Sequence, residues 1–148
     1  MTPEQRALWE VFLATPDAPP DAEDRFLETF SIGNSAEAAD RGAELILSGR
    51  KTATSALPAD FGDRPPRAGD LSILCGSADR PVAVIMTVRV WLAGLHALTP
   101  EFAANYGEWD GTLETLRLEL AAHYRARDPG FSDRTPLLCE DFRVIHSA

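Results

Sequence analysis

Cysteine, lysine and long apolar runs are all scarce in this chain of 148 residues. The two cysteines, Cys75 and Cys139, lie far apart with no CxxC spacing. That excludes a disulfide framework or a cysteine-based zinc site and leads us to expect buried thiols in a cytoplasmic protein. The longest apolar runs, residues 82–86 and 90–95, have the length of core strands, far short of the ~20 residues of a membrane span. The opening MTPEQRALWEVFL has neither the basic start nor the apolar stretch of a signal peptide. His96, His123 and His146 form no HxH or HExxH pattern, so no structural metal site is expected.

Positive charge is also short. The net charge is −9, unevenly spread. Residues 1–48 carry three Arg against ten acids, residues 49–89 six basic residues against four, and residues 90–148 five against nine. An acidic chain repels polyanions at long range, so no broad face for duplex DNA is expected. A focal basic site for one nucleotide or a short single strand remains open, and the middle third is its place. Of fourteen basic residues, thirteen are Arg and one is Lys51. Arg keeps its proton, whereas a partly buried Lys can lose one. Lys51 therefore reads as a site residue, against the alternatives of a plain surface lysine or one capping the preceding helix.

What is present reads as α+β. Thr2, Pro3 and Gln5 form a helix start, with Leu8, Trp9, Phe12 and Leu13 on one apolar face. Residues 15–24 are a Pro-rich acidic linker, so residues 1–25 stand apart from a domain over 26–148. Residues 26–32 predict a strand. Asn34 and Glu37 predict a capping box opening a helix that stops at Gly49. Residues 51–57 are β-like, and residues 71–75 and 82–91 predict an antiparallel pair. Short and long helices follow, from Thr99 to Gly107 and from Thr112 to Arg127. Residues 137–146 are a last strand. About five strands and three or four helices suggest a small barrel or a strongly curled sheet.

Gly49-Arg50-Lys51-Thr52-Ala53-Thr54-Ser55 gathers a cation and three hydroxyls. It is not a phosphate-binding P-loop: no Gly stands five residues before a Gly-Lys pair, and the helix precedes the motif. A helix C-terminus would repel phosphate. Gly49 to Thr54 resembles instead the G-x-K-x-x-T signature of ASCH domains. Residues 31–37 (SIGNSAE), Ala68-Gly69-Asp70-Leu71, Phe102-Ala103-Ala104 with residues 108–113, and residues 139–144 (CEDFRV) resemble further motifs of that family, in the right order over residues 26–146. The resemblance implies a PUA-like β-barrel and nucleic-acid-related function: binding of single-stranded RNA or a modified nucleoside, with hydrolysis of RNA (ribonuclease-like) as the leading activity. Its alternatives are amide hydrolysis of an N4-acylated cytidine, or recognition without turnover. Two departures stand out. Tyr106 replaces a Glu that accompanies the Lys and Thr in members hydrolysing N4-acetylcytidine. Leu116 and Leu120 replace the usual Trp and His.

The candidate catalytic set is Lys51 as base or electrostatic stabiliser, Thr54 as nucleophile or water-orienting hydroxyl, and Glu108 or Ser132 completing the site. Strict strand alternation separates Lys51 from Thr54, so their cooperation requires a bend near Ala53. Arg50, Ser55 and Arg67 are candidate substrate contacts, and Tyr106 and Trp109 are candidate base-stacking platforms. A transient Mg²⁺ or Mn²⁺ held by carboxylates and substrate phosphate is compatible with the composition. A protein-interaction role for the N-terminal helix and acidic linker is the bland competitor. As a functional rather than a core residue, Lys51 is expected to be dispensable for stability.

Overall fold

The computed structural model describes residues 1–148. Helix α1 (Pro3–Leu13) starts as its sequence predicts. The Thr2 hydroxyl accepts from the Gln5 amide, and the Gln5 side chain accepts from the Thr2 amide. This satisfies two amides that the first helical turn leaves orphaned. Leu8, Trp9 and Phe12 are buried against Leu71, Ile73, Cys75 and Val84 of the sheet. The segment read as linker contains one helical turn, α2 (Ala22–Arg25), steadied by an Arg25–Asp21 ion pair at 2.8 Å and by burial of Ala22.

Strand β1 (Phe26–Phe30) leads to α3 (Ala36–Leu47). Its N-cap is Ser35, not Asn34: Ser35 has extended backbone, and its hydroxyl accepts from the Ala38 amide at 3.1 Å. Strand β2 (Ala53–Ala56) begins two residues later than its β-like sequence suggested. The Lys51 amide is drawn back to the Leu45 carbonyl, and the Thr52 amide crosses to Asn105. Strands β3 (Leu71–Cys75), β4 (Pro81–Ala93) and β5 (Leu137–Ser147) complete the sheet, with α4 (Pro100–Tyr106) and α5 (Leu113–Arg127) between the last two.

The strand order is β1-β3-β4-β5-β2, with β1 parallel to β3 and every other pair antiparallel. The α+β class and the five strands match the sequence reading, with five helices in place of three or four. The barrel does not close: β1 and β2 are the two edges, with no ladder between them. Curl comes instead from the long β4–β5 ribbon, whose register shifts between Val84 and Ile85 and between Thr87 and Arg89. Bulges of this kind bend a strand and sharpen its twist. Helix α3 covers Leu74, Ala83, Ile85 and Phe142 on one side of the sheet, and α4 and α5 bury Leu137 and Cys139. No helix is long and apolar enough to cross a membrane.

Candidate functional site

Lys51 is 1% exposed, which corrects the expectation that it lies outside the core. Its ammonium donates to a Glu108 carboxylate oxygen at 2.8 Å and to the Tyr106 carbonyl at 3.0 Å, and it sits 3.5 Å from the centroid of the Tyr106 ring. Two acceptors and one aromatic face thus surround the nitrogen. Burial pulls the ammonium down to about 8, against the pull of the Glu108 charge in the other direction. The end of α4 makes this packing possible. Gly107 takes a φ of 71°, and a Cβ there would run into the Arg50 carbonyl and the Lys51 backbone. Glycine is the residue that permits both features.

Above this anchor opens a cleft of about 460 Å³. Its floor is the sheet face carrying Glu28, Phe30, Ser72, Thr54, Leu138, Glu140 and Phe142; its far wall is Tyr106, Glu108 and Trp109 with Glu119, His123 and Tyr124 from α5. The alternation of β5 sets this face, since Leu138, Glu140 and Phe142 point the same way. Thr54 lies directly opposite Glu140 in the β2–β5 register. The Ser55 hydroxyl joins the Tyr106 hydroxyl at 3.1 Å and the Tyr124 hydroxyl at 2.8 Å. Burial pushes both phenols upward, that of Tyr124 to about 12. Trp109 is 43% exposed and lies nearly parallel to Tyr106, with ring centroids 6.0 Å apart. Its φ of 56° is left-handed, a conformation that disfavours a bulky side chain.

Of the predicted residues, Thr54, Ser55, Tyr106, Glu108 and Trp109 come together around the cleft. Lys51 touches two of them from beneath without lining it. Ser132 lies elsewhere, exposed in the loop before β5, with its hydroxyl 3.4 Å from that of Thr135. Arg67 is exposed in the loop before β3, where its amide caps Asp70 at 2.7 Å, and Arg50 is exposed outside the cleft lining. No group of three or more His, Cys, Asp or Glu side chains is placed to hold a metal ion.

Glu140 and Glu28 were missed by the sequence reading. One Glu140 oxygen accepts from the Thr87 hydroxyl at 2.6 Å; the other has no protein partner. Burial raises the carboxyl to about 7, opposed by the Thr87 hydrogen bond and reinforced by Glu28, Asp70 and Asp141. Burial likewise raises Glu28. The available signal was an acid at 140 flanked on the same face by Leu138 and Phe142.

An open, curled α+β sheet carrying a cleft over a buried G-x-K lysine defines the class of domain. The ASCH domain family model matches residues 28–146, and the chain belongs to that family. The structure is similar to the ASCH domain from Lactobacillus crispatus JV V101, with a TM-score of 0.87 at 20% identity over 99% of this chain and 96% of that one. It is also similar to protein EF3133 from Enterococcus faecalis V583, with a TM-score of 0.83 at 24% identity over 99% of this chain and 91% of that one. At such identities the likeness is one of fold. No curated protein matches the sequence. Membership of the family supports a general RNA-binding module.

Proposed function

We propose that the cleft receives a single nucleobase, free as a nucleoside or turned out from single-stranded RNA, and holds it without contacting phosphate. The carrying observation is the lining: Glu28, Glu108, Glu119 and Glu140, with aromatic rings beside them and no Arg or Lys. Phosphate in such a space would meet like charge, whereas a base offers an aromatic face and hydrogen-bonding edges. A volume of about 460 Å³ lies within the range of small-molecule sites. The ammonium proposed for the chemistry of RNA cleavage is already occupied by Glu108 and Tyr106. Lys51 then serves as the anchor that shapes the Tyr106–Trp109 wall. The test is calorimetric titration with nucleosides, their 5′-monophosphates and short RNAs. Nucleosides are expected to bind at least as tightly as the monophosphates, and duplex DNA is expected not to compete. Monophosphates binding tenfold tighter would overturn the reading.

One observation favours a second reading, amide hydrolysis of an N4-acylated cytidine. Glu108 is ion-paired with a lysine of lowered pKa and lines the same cleft as the Thr54 hydroxyl. In that reading the pair takes a proton from water, the hydroxide adds to the acyl carbon, the C–N4 bond breaks and N4 receives the proton. The products are cytidine and a carboxylic acid. Incubating N4-acetylcytidine and short RNAs with and without Mn²⁺ separates this reading from recognition alone.

A further inference from the structure

The cleft holds carboxyl groups for which the protein supplies no counter-charge. Glu108 is paired with Lys51, but Glu28, Glu119 and Glu140 take part in none of the chain's ion pairs. Glu28 and Glu140 are partly buried and line the same cleft as Tyr106 and Trp109, and the Glu28 charge adds to the burial that raises Glu140. Glu140, with one carboxylate oxygen free of any hydrogen bond to the protein, lines the cleft. Removing carboxylates from water without a counter-charge is costly, and a ligand that brings positive charge recovers that cost. A flat cation is also attracted to the face of a Trp or Tyr ring.

We propose that the ligand of this cleft is a positively charged nucleobase, of the kind made by methylating a ring nitrogen of adenine or cytosine, with Glu140 and Glu28 as its counter-charges and Trp109 as its stacking surface. This rests on the reading of the cleft as a nucleobase site and names the chemical class of the base. An unmodified base would stack equally well but leave the two carboxylates unbalanced. Methylation at the ring nitrogen supplies a delocalised charge in the plane that the aromatic wall faces.

The pairing depends on pH through Glu140. The groups around it are Glu28 on β1, Asp70 ahead of β3 with its partner Arg64, Thr87 on β4, Asp141 on its own strand with Arg89 of β4, Thr54 on β2, and Glu119 and His123 across the cleft on α5. Ionised Glu140 accepts the cation; protonated Glu140 does not. Affinity for the cation therefore rises as pH increases through about 7.

The experiment compares 1-methyladenosine with adenosine and 3-methylcytidine with cytidine by calorimetry at pH 5.5 and 7.5, with tetramethylammonium as a cation lacking a base. At pH 7.5 each methylated nucleoside is expected to bind at least tenfold tighter than its parent, with a smaller ratio at pH 5.5. E140Q is expected to bring the ratio below threefold and to flatten the pH dependence. E28Q gives an independent second variant with the same expected direction. Equal binding of methylated and parent nucleosides overturns the charge inference but leaves the nucleobase site intact. Tetramethylammonium competing as well as the methylated nucleosides overturns the nucleobase part. No binding of any nucleoside overturns the site itself.

Discussion

The Lys51 ammonium donates to the Tyr106 carbonyl at 3.0 Å and lies 3.5 Å from the centroid of the same residue's ring. One side chain thus holds both the backbone and the aromatic face of the cleft wall, and its Glu108 contact holds the residue two positions on. Removing the nitrogen should loosen the wall as a unit.

K51A should therefore be destabilising, by ~3–5 kcal/mol, because it leaves Glu108 without its counter-charge and opens a void beneath Tyr106. K51M keeps the stem and the volume, and should recover only the part of that loss owed to the void, since Glu108 still lacks its counter-charge. Urea denaturation of both variants checks this. A K51A midpoint equal to wild type would show that the lysine is not structural.

The Ser55 hydroxyl bridges two buried phenols. S55A should cost about 1–3 kcal/mol by leaving these hydroxyls short of a partner. Y124F alone should cost less, since Ser55 keeps Tyr106. A double-mutant cycle between positions 55 and 124 should return a coupling energy well above zero; additivity would mean that the bridge does not form in solution.

Much of this architecture is legible in the chain because it is written locally. Thr2 and Gln5 cap a helix within one turn, and the apolar face of Leu8, Trp9 and Phe12 follows helical spacing. Adjacent candidates defeat the same logic: Asn34 and Ser35 are both good caps, and only the extended backbone at Ser35 selects it. Lys51 stood out as the single lysine, but its burial depends on Gly107 and Glu108, more than fifty residues away. Ser132 and Arg67 sit in loops whose direction is set by the packed sheet, and no local pattern predicts it. Glu140 interrupts an inward-facing apolar alternation, a signal as strong as the lone lysine but without a motif to draw attention to it.

Folded Glu140 keeps its proton up to about 7, above the ordinary glutamate value of 4.5. Between those values the folded state binds more protons than the unfolded one, so stability falls as pH rises from 4.5 to 7. E140Q should remove this slope and stabilise the protein above pH 7 by on the order of 1–3 kcal/mol. Thermal melts of both proteins from pH 4.5 to 8 test the sign. Parallel curves would place Glu140 in an ordinary aqueous setting.

Trp109 occupies left-handed backbone with a large, half-exposed side chain. W109G should relieve that strain and leave stability unchanged or higher by about 1 kcal/mol, while removing a stacking surface worth ~1–3 kcal/mol of nucleobase affinity. A melting curve and a nucleoside titration on the same sample separate the two effects. Unaltered affinity would mean that the indole does not stack on the ligand.

The most direct test of the account is a ¹H–¹⁵N chemical-shift titration of the wild-type protein with cytidine and 3-methylcytidine. The account predicts shifts confined to the cleft: the Thr54–Ala56 amides, Glu108 and Trp109 with its indole N–H, and Leu138 to Glu140. Shifts centred on the Arg64–Arg67 loop or on the exposed Val88, Arg89 and Leu92, with the cleft amides unmoved, would contradict it.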